Sequence, residues 1–368
     1  MGLLAAVSLA ALFTTRVAQK MPDFDVYWTA GARAHDAAPL YREEDGHFQF
    51  KYLPAFAVAA IPLARMPLTA AKALWFAASA VLMIALLGLS VRTLPAIHRP
   101  PALLAVLTFA AMAKFYAHEL VLGQVNLLFA VIVALAIVCL FDGRRVVAGA
   151  LLALAVVVKP YGILFAPWLL SRRDRVPFAA MAVGLAVVFL LPAILYGWTG
   201  NIREHLHWWQ TVTSSTPPNL LNQDNVSLAA MFAKWLGAAG QSPILTAAAS
   251  IVLLGLVAVV IAARGTLPRS DALEADLLLI LIPLLSPQGW DYVLLISTPA
   301  VMLLINDLRR VPGALRTAAG IAIAVVALSI YDLMGRTAYA EFMALSLITV
   351  CVLVEFAALV SLRFSRAA

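Results

Sequence analysis

The sequence predicts an all-α, polytopic transmembrane helical bundle, and three observations carry that expectation. Of 368 residues, 63% are hydrophobic and 12% are charged, more apolar surface than one soluble core can bury. Residues 71–91, 101–117, 122–141, 178–196, 244–263, 313–330 and 338–362 form apolar windows, each able to cross ~30 Å of hydrocarbon as a helix. These runs are continuous and lack the alternation of a membrane barrel, so helices are the expected spanning element.

At the N-terminus, the apolar stretch 2–14 is short for a span, and Arg16 and Lys20 follow it rather than precede it. That order argues against a cleaved signal peptide and leaves either a short first helix or a different true start. Short connections then carry Arg92 and Arg99; Arg144 and Arg145; Arg172, Arg173 and Arg175; Arg264 and Arg269; Arg309, Arg310 and Arg316; and Arg363 and Arg366. Positive charge collects on the cytoplasmic side, which leaves 16–68 and 197–242 as the two outer loops. Residues 146–170 are long enough for one span but have arginines at both ends, and Lys159-Pro160 interrupts them. Proline lacks an amide hydrogen and clashes with the preceding turn, so a pair of short helices with Lys159 at the break is expected. Ser286-Pro287-Gln288-Gly289 interrupts residues 277–305 in the same way. The sum is about 11–13 membrane helices in a single integral domain over residues 1–368, including broken-helix hairpins and no internal repeat.

Net charge is +7, but the arginines fall at span ends, where they orient the chain in a bilayer rather than bind nucleic acid. Cys139 and Cys351 lie inside apolar runs without the spacing of a metal or redox pair. Membrane lipid is therefore the expected surrounding, in a bacterial inner membrane with active loops facing the periplasm or cell exterior.

Polar residues at the outer ends of spans are the unusual feature. Asp23 and Asp25 follow the first helix; His118 and Glu119 stand near Gln124 and Asn126; Lys159, residues 222–225, and Gln288, Trp290 and Asp291 come later. Ionisable groups near hydrocarbon are costly and usually mark a pathway or a site. Carboxylates beside a lysine suit transfer of a sugar from a lipid-phosphate carrier. The leaving phosphate needs no protonation, whereas the acceptor hydroxyl needs a base. Lys159 and Arg203 are candidate partners for the phosphate. Tyr27, Trp28, Tyr41, Tyr52, Trp208 and Trp209 offer aromatic faces, although an interfacial belt explains most of them equally well. Alternatively, each polar group simply meets interfacial water, and Asp23 caps a helix that begins near Val26.

The run Pro22-Asp23-Phe24-Asp25-Val26-Tyr27-Trp28-Thr29-Ala30-Gly31, with Pro39-Leu40-Tyr41, Phe50-Lys51-Tyr52-Leu53-Pro54 and Ile61-Pro62-Leu63, resembles the first outer loop of glycosyltransferase family 87. Gly123-Gln124-Val125-Asn126, Lys159-Pro160-Tyr161, Asn222-Gln223-Asp224-Asn225-Val226-Ser227-Leu228 and Ser286-Pro287 with Trp290-Asp291 follow in the family's order. The resemblance implies a GT-C membrane enzyme. It would transfer a hexose, mannose in the best-known members, from a polyprenyl-phosphate donor with inversion, without metal or cofactor, to a glycan, lipid or protein acceptor. It places the family's carboxylate at Asp23, as the base, and Asp25 on a variable position. Asp25, Tyr27, Tyr52, Glu119, Gln124, Asn126, Lys159, Arg203, Asn222, Gln223, Asn225, Gln288, Trp290 and Asp291 become candidate substrate-binding residues. One departure stands out: related mannosyltransferases often carry histidine shortly after the later tryptophan, where this chain reads Trp290-Asp291-Tyr292. A transporter or flippase, or a non-catalytic envelope assembly protein, is the alternative. A transporter would favour paired interrupted helices and charges at the bilayer midplane.

Overall fold

The computed structural model describes residues 10–264 and 269–365. Most of the apolar stretch 2–14 lies outside the described residues, as does Arg366. The described chain is helical nearly throughout, and its β-structure is one isolated bridge between Asn225 and Trp290.

Among the described residues, five helices are long and apolar enough to cross a membrane: Leu68–Thr93, Pro101–Leu122, Ser242–Ala262, Asp291–Arg310 and Leu347–Phe364. Val176–Leu190 and Ala193–Asn219 qualify only as a pair, bent by 90°. Shorter apolar helices are Pro54–Ala64, Asn126–Phe141, Arg145–Val158, Pro160–Leu170 and Gly313–Leu328. Two predicted windows divide. Residues 178–196 break near Pro192, and residues 338–362 break at Ser346, whose positive φ of 54° separates Arg336–Ala344 from Leu347–Phe364. The interruption at Lys159 is present: Arg145–Val158 ends there, Lys159 is extended (φ −146°, ψ 123°), and Pro160–Leu164 continues as a tighter helix. At 14 residues the first of these is about 21 Å long, too short to cross alone.

The expected loop 16–68 is largely helical. Pro22–His35 packs on Pro54–Ala64, with a tight six-residue turn, Glu43–Phe48, between them. Gly31 makes this contact: a Cβ there would stand 2.7 Å from the Ala60 carbonyl oxygen. The expected loop 197–242 likewise holds the end of Ala193–Asn219 and all of Leu228–Leu236.

The chain divides into two compact units. The first gathers Met1–Ala85, Ala117–Ala136 and Arg144–Ser215; the second gathers Leu86–Tyr116, Ile137–Gly143 and Thr216–Ala368. In the second, a buried carboxylate at Glu274 receives Arg264 and Arg363, and so joins the ends of Ser242–Ala262, Ser270–Leu285 and Leu347–Phe364.

Candidate active site

Asp23 sits in the first turn of Pro22–His35, whose N-cap is Met21 in a left-handed conformation (φ 64°) with no side-chain cap bond. The helix begins four residues before Val26, so Asp23 is inside it and not at its cap. Its position in the first turn still favours a negative charge, because the helix dipole is positive there. Successive residues advance about 100° around a helix, so Asp23 and Asp25 diverge by about 200°. Asp25 faces Lys72, whose ammonium lies 2.8 Å from it and also donates to the Lys20 carbonyl at 2.7 Å. Asp23 faces the other way.

Gln124 organises the Asp23 face. Its Oε1 lies 3.1 Å from the Tyr27 hydroxyl and 3.5 Å from that of Tyr52, and these two hydroxyls are 2.8 Å apart. With its carbonyl occupied by tyrosines, the Gln124 side chain hydrogen-bonds the Asp23 carboxylate through its amide. Gly123 brings the turn close enough for this. It holds φ at +71°, and a Cβ would stand 2.7 Å from that of Phe24, so both backbone and space require glycine. The Met21 amide donates to the Val121 carbonyl at 2.9 Å, and the Trp75 indole donates to the Gln124 carbonyl at 3.3 Å.

Lys159, His47 and Lys51 bear electrostatically on Asp23. Burial nevertheless prevails and raises the Asp23 pKa above the ordinary aspartate value, while the Gln124 bond and the cations act in the opposite direction. Burial lowers the pKa of Lys51 and raises that of Tyr52, so the tyrosine stays a neutral donor. The Lys159 ammonium is 5.8 Å from the centre of the Tyr52 ring, a cation held over an aromatic face. His47 and Lys51 are carried by a segment that Arg33 clamps to the same helix through a fork to both oxygens of Asp45, at 2.5 and 2.8 Å. Neither His47 nor Lys51 was singled out as a site residue in the sequence, although Lys51 stands inside the Phe50–Pro54 motif.

Glu119 and Asn126 bond to each other. Glu119 is fully buried, and its two oxygens accept from Asn126 Nδ2 at 2.7 Å and from the Leu127 amide at 2.8 Å. Leu127 is the second residue of the helix Asn126–Phe141, so Glu119 satisfies an amide at that N-terminus and fixes the Gly123-Gln124 turn. Arg203 is exposed on Ala193–Asn219 with its Nε 3.9 Å from Glu204.

The remaining candidates meet one another in the second unit. Val226 donates to the Gly289 carbonyl at 2.7 Å and Asp291 to that of Asp224 at 2.9 Å, so the segment 222–228 pairs with 286–291. Asn225 is the pin: its amide donates to the Pro287 carbonyl at 2.8 Å and to that of Asn219 at 3.2 Å, and its Oδ1 accepts from Ser227 at 3.1 Å. Ser227 in turn caps Leu228–Leu236 by accepting from Ala230. Asn225 is thus occupied by the backbone of its own motif. Asn222 accepts from the Asp224 amide at 3.0 Å, the Gln223 carbonyl receives Lys234 at 2.9 Å, and Gln288 donates to Thr216 at 3.1 Å. Trp290 forms the bridge to Asn225, and Asp291 is buried beside it.

In the first unit the arrangement offers a half-buried carboxylate with raised basicity, the charges of Lys159 and Lys51 acting on it, and the neutral Tyr52 hydroxyl beside Gln124. That is equipment for removing a proton from a hydroxyl next to an anionic leaving group. A family model described as glycosyltransferase family 87 matches residues 50–287, more than half of the chain. The match takes in Lys51, Tyr52, Gln124, Lys159 and Asn225 and begins after the helix that carries Asp23. No curated protein and no solved structure matches the chain. The chain belongs to glycosyltransferase family 87.

Proposed function

We propose that this glycosyltransferase moves a hexose, with mannose the first candidate, from a polyprenyl-phosphate carrier to an acceptor hydroxyl at the periplasmic face, with inversion. Asp23 carries the reading, because its carboxylate is half-buried, oriented by Gln124 and approached by Lys159, Lys51 and His47. The acceptor oxygen attacks the anomeric carbon as the bond from that carbon to the phosphate oxygen breaks. The phosphate leaves with the electron pair, and the acceptor proton passes to Asp23. Lys159 and Lys51 stabilise the phosphate charge as it develops. Tyr52 offers its half-buried ring to the sugar, and buried Tyr27 holds it in place through its hydroxyl. The acceptor belongs to a glycan, lipid or protein of the envelope.

Mass spectrometry of envelope glycans from a deletion strain beside its complemented parent tests this reading. Loss of one hexose, restored by complementation, supports it and names the sugar and acceptor class. An unchanged glycan profile contradicts it.

A further inference from the structure

The helix Ala193–Asn219 is kinked at Gly197 (φ 67°), and beyond that residue one side of it is apolar and uncovered. Trp198, Ile202, Leu206 and Trp209 are 65%, 47%, 58% and 60% exposed. With about 100° per residue, these four fall within an arc of about 80°. The opposite side is buried and polar, with Glu204 and Thr211 turned inward, and buried Asn201 borders the stripe. The helix departs at 90° from the apolar helix Val176–Leu190, across a break of two residues. With Val176–Leu190 running along the bilayer normal, a helix set square to it would lie along the membrane surface. Tryptophan is the residue type that favours the headgroup level, and exposed Arg203 flanks the stripe.

The inward side holds the segment that supplies Lys51. The Leu40 amide donates to Glu204 at 3.2 Å, the Tyr196 hydroxyl to the Ala38 carbonyl at 2.9 Å, and the Trp208 indole to the Lys51 carbonyl at 3.1 Å.

We propose that Ala193–Asn219 lies in the plane of the bilayer interface with its Trp198-to-Trp209 stripe seated among lipid headgroups, and so holds residues 38–51 at that depth. The lipid interface is the occupant of the stripe. The placement stands whether or not the donor is a polyprenyl phosphate.

Tryptophan quenching by brominated lipid tests it on the full-length protein in vesicles of phosphatidylcholine and phosphatidylglycerol. The phosphatidylcholine carries bromine either near the headgroup or near the chain end. Subtracting the spectra of Trp198→Phe and Trp209→Phe proteins isolates each indole from the other seven tryptophans. Shallow bromine should quench both isolated signals at least twofold more than deep bromine. Equal or stronger quenching by deep bromine would make the helix a spanning one. No quenching from either depth would mean that water or another protein surface covers the stripe. Either result overturns the placement.

Discussion

Asp23 and Asp25 stand two residues apart on one helical turn and meet opposite surroundings. Asp25 pairs with Lys72, and Asp23 meets Gln124 and the influence of Lys159, His47 and Lys51. Because burial raises the Asp23 pKa, its carboxylate reaches the ionised, proton-accepting form at higher pH than an ordinary aspartate. The rate limited by that step should therefore rise with pH through this raised pKa and then level off, which a pH profile of turnover will show. The linkage to stability has the matching sign. A carboxyl whose pKa is raised by folding stabilises the fold at acid pH, and that contribution is lost as pH rises through the folded value. Asp23→Asn should consequently be as stable as the parent or more so at pH 8, with the difference closing toward pH 4, as read by thermal unfolding in detergent. Lys159→Ala and Lys51→Ala should each raise the apparent KM for the lipid-phosphate donor about tenfold or more, with Lys159→Arg retaining part of the affinity. Equal kinetics for alanine and parent would remove either lysine from the site. The different surroundings of Asp23 and Asp25 were not legible in the residues themselves, and the preference for Asp23 came from the family motif. The sequence left open whether the segment was extended or helical, and only the helix separates the two side chains. Lys51 and His47 escaped notice because they belong to a segment whose return to Asp23 depends on the Arg33–Asp45 clamp, a contact 12 residues apart in sequence.

At the scale of elements, the interruptions were more legible than the spans. Proline marked the break at Lys159, since its missing amide and ring leave a local signature in the sequence. Ser346 carries no such signature, so the window 338–362 read as continuous. The Glu119 bond was hidden for a related reason: its acceptance from Leu127 lies eight residues away and resembles no local capping pattern. Packing predictions follow from the close contacts. Gly31→Leu forces Pro22–His35 away from Pro54–Ala64 and should cost about 1–3 kcal/mol, or prevent folding outright. Asn225→Ala leaves the Pro287 carbonyl without its donor and unlocks segment 222–228 from 286–291, at about 1–3 kcal/mol. Thermal unfolding measures both, and hydrogen exchange at Val226 should rise in the second variant.

For the whole molecule, composition alone indicated a helical membrane protein, and the arginine pattern gives it an orientation to test. Cysteines introduced at Ala37 and Ser214, both exposed, should react with an impermeant reagent in intact cells with a permeable outer membrane. Reaction only after inner-membrane lysis would invert the topology. The two groups of family motifs settle into different compact units, one around Asp23 and one around Asn225. The catalytic assignment rests on the first. In a deletion strain expressing each protein at matched membrane abundance, the parent and Asp25→Asn should restore the missing envelope sugar. Asp23→Asn should transfer it at about one hundredth of the parental rate or less, as expected for loss of a general base. Restoration by Asp23→Asn at near the parental rate would contradict the assignment of Asp23 as the base.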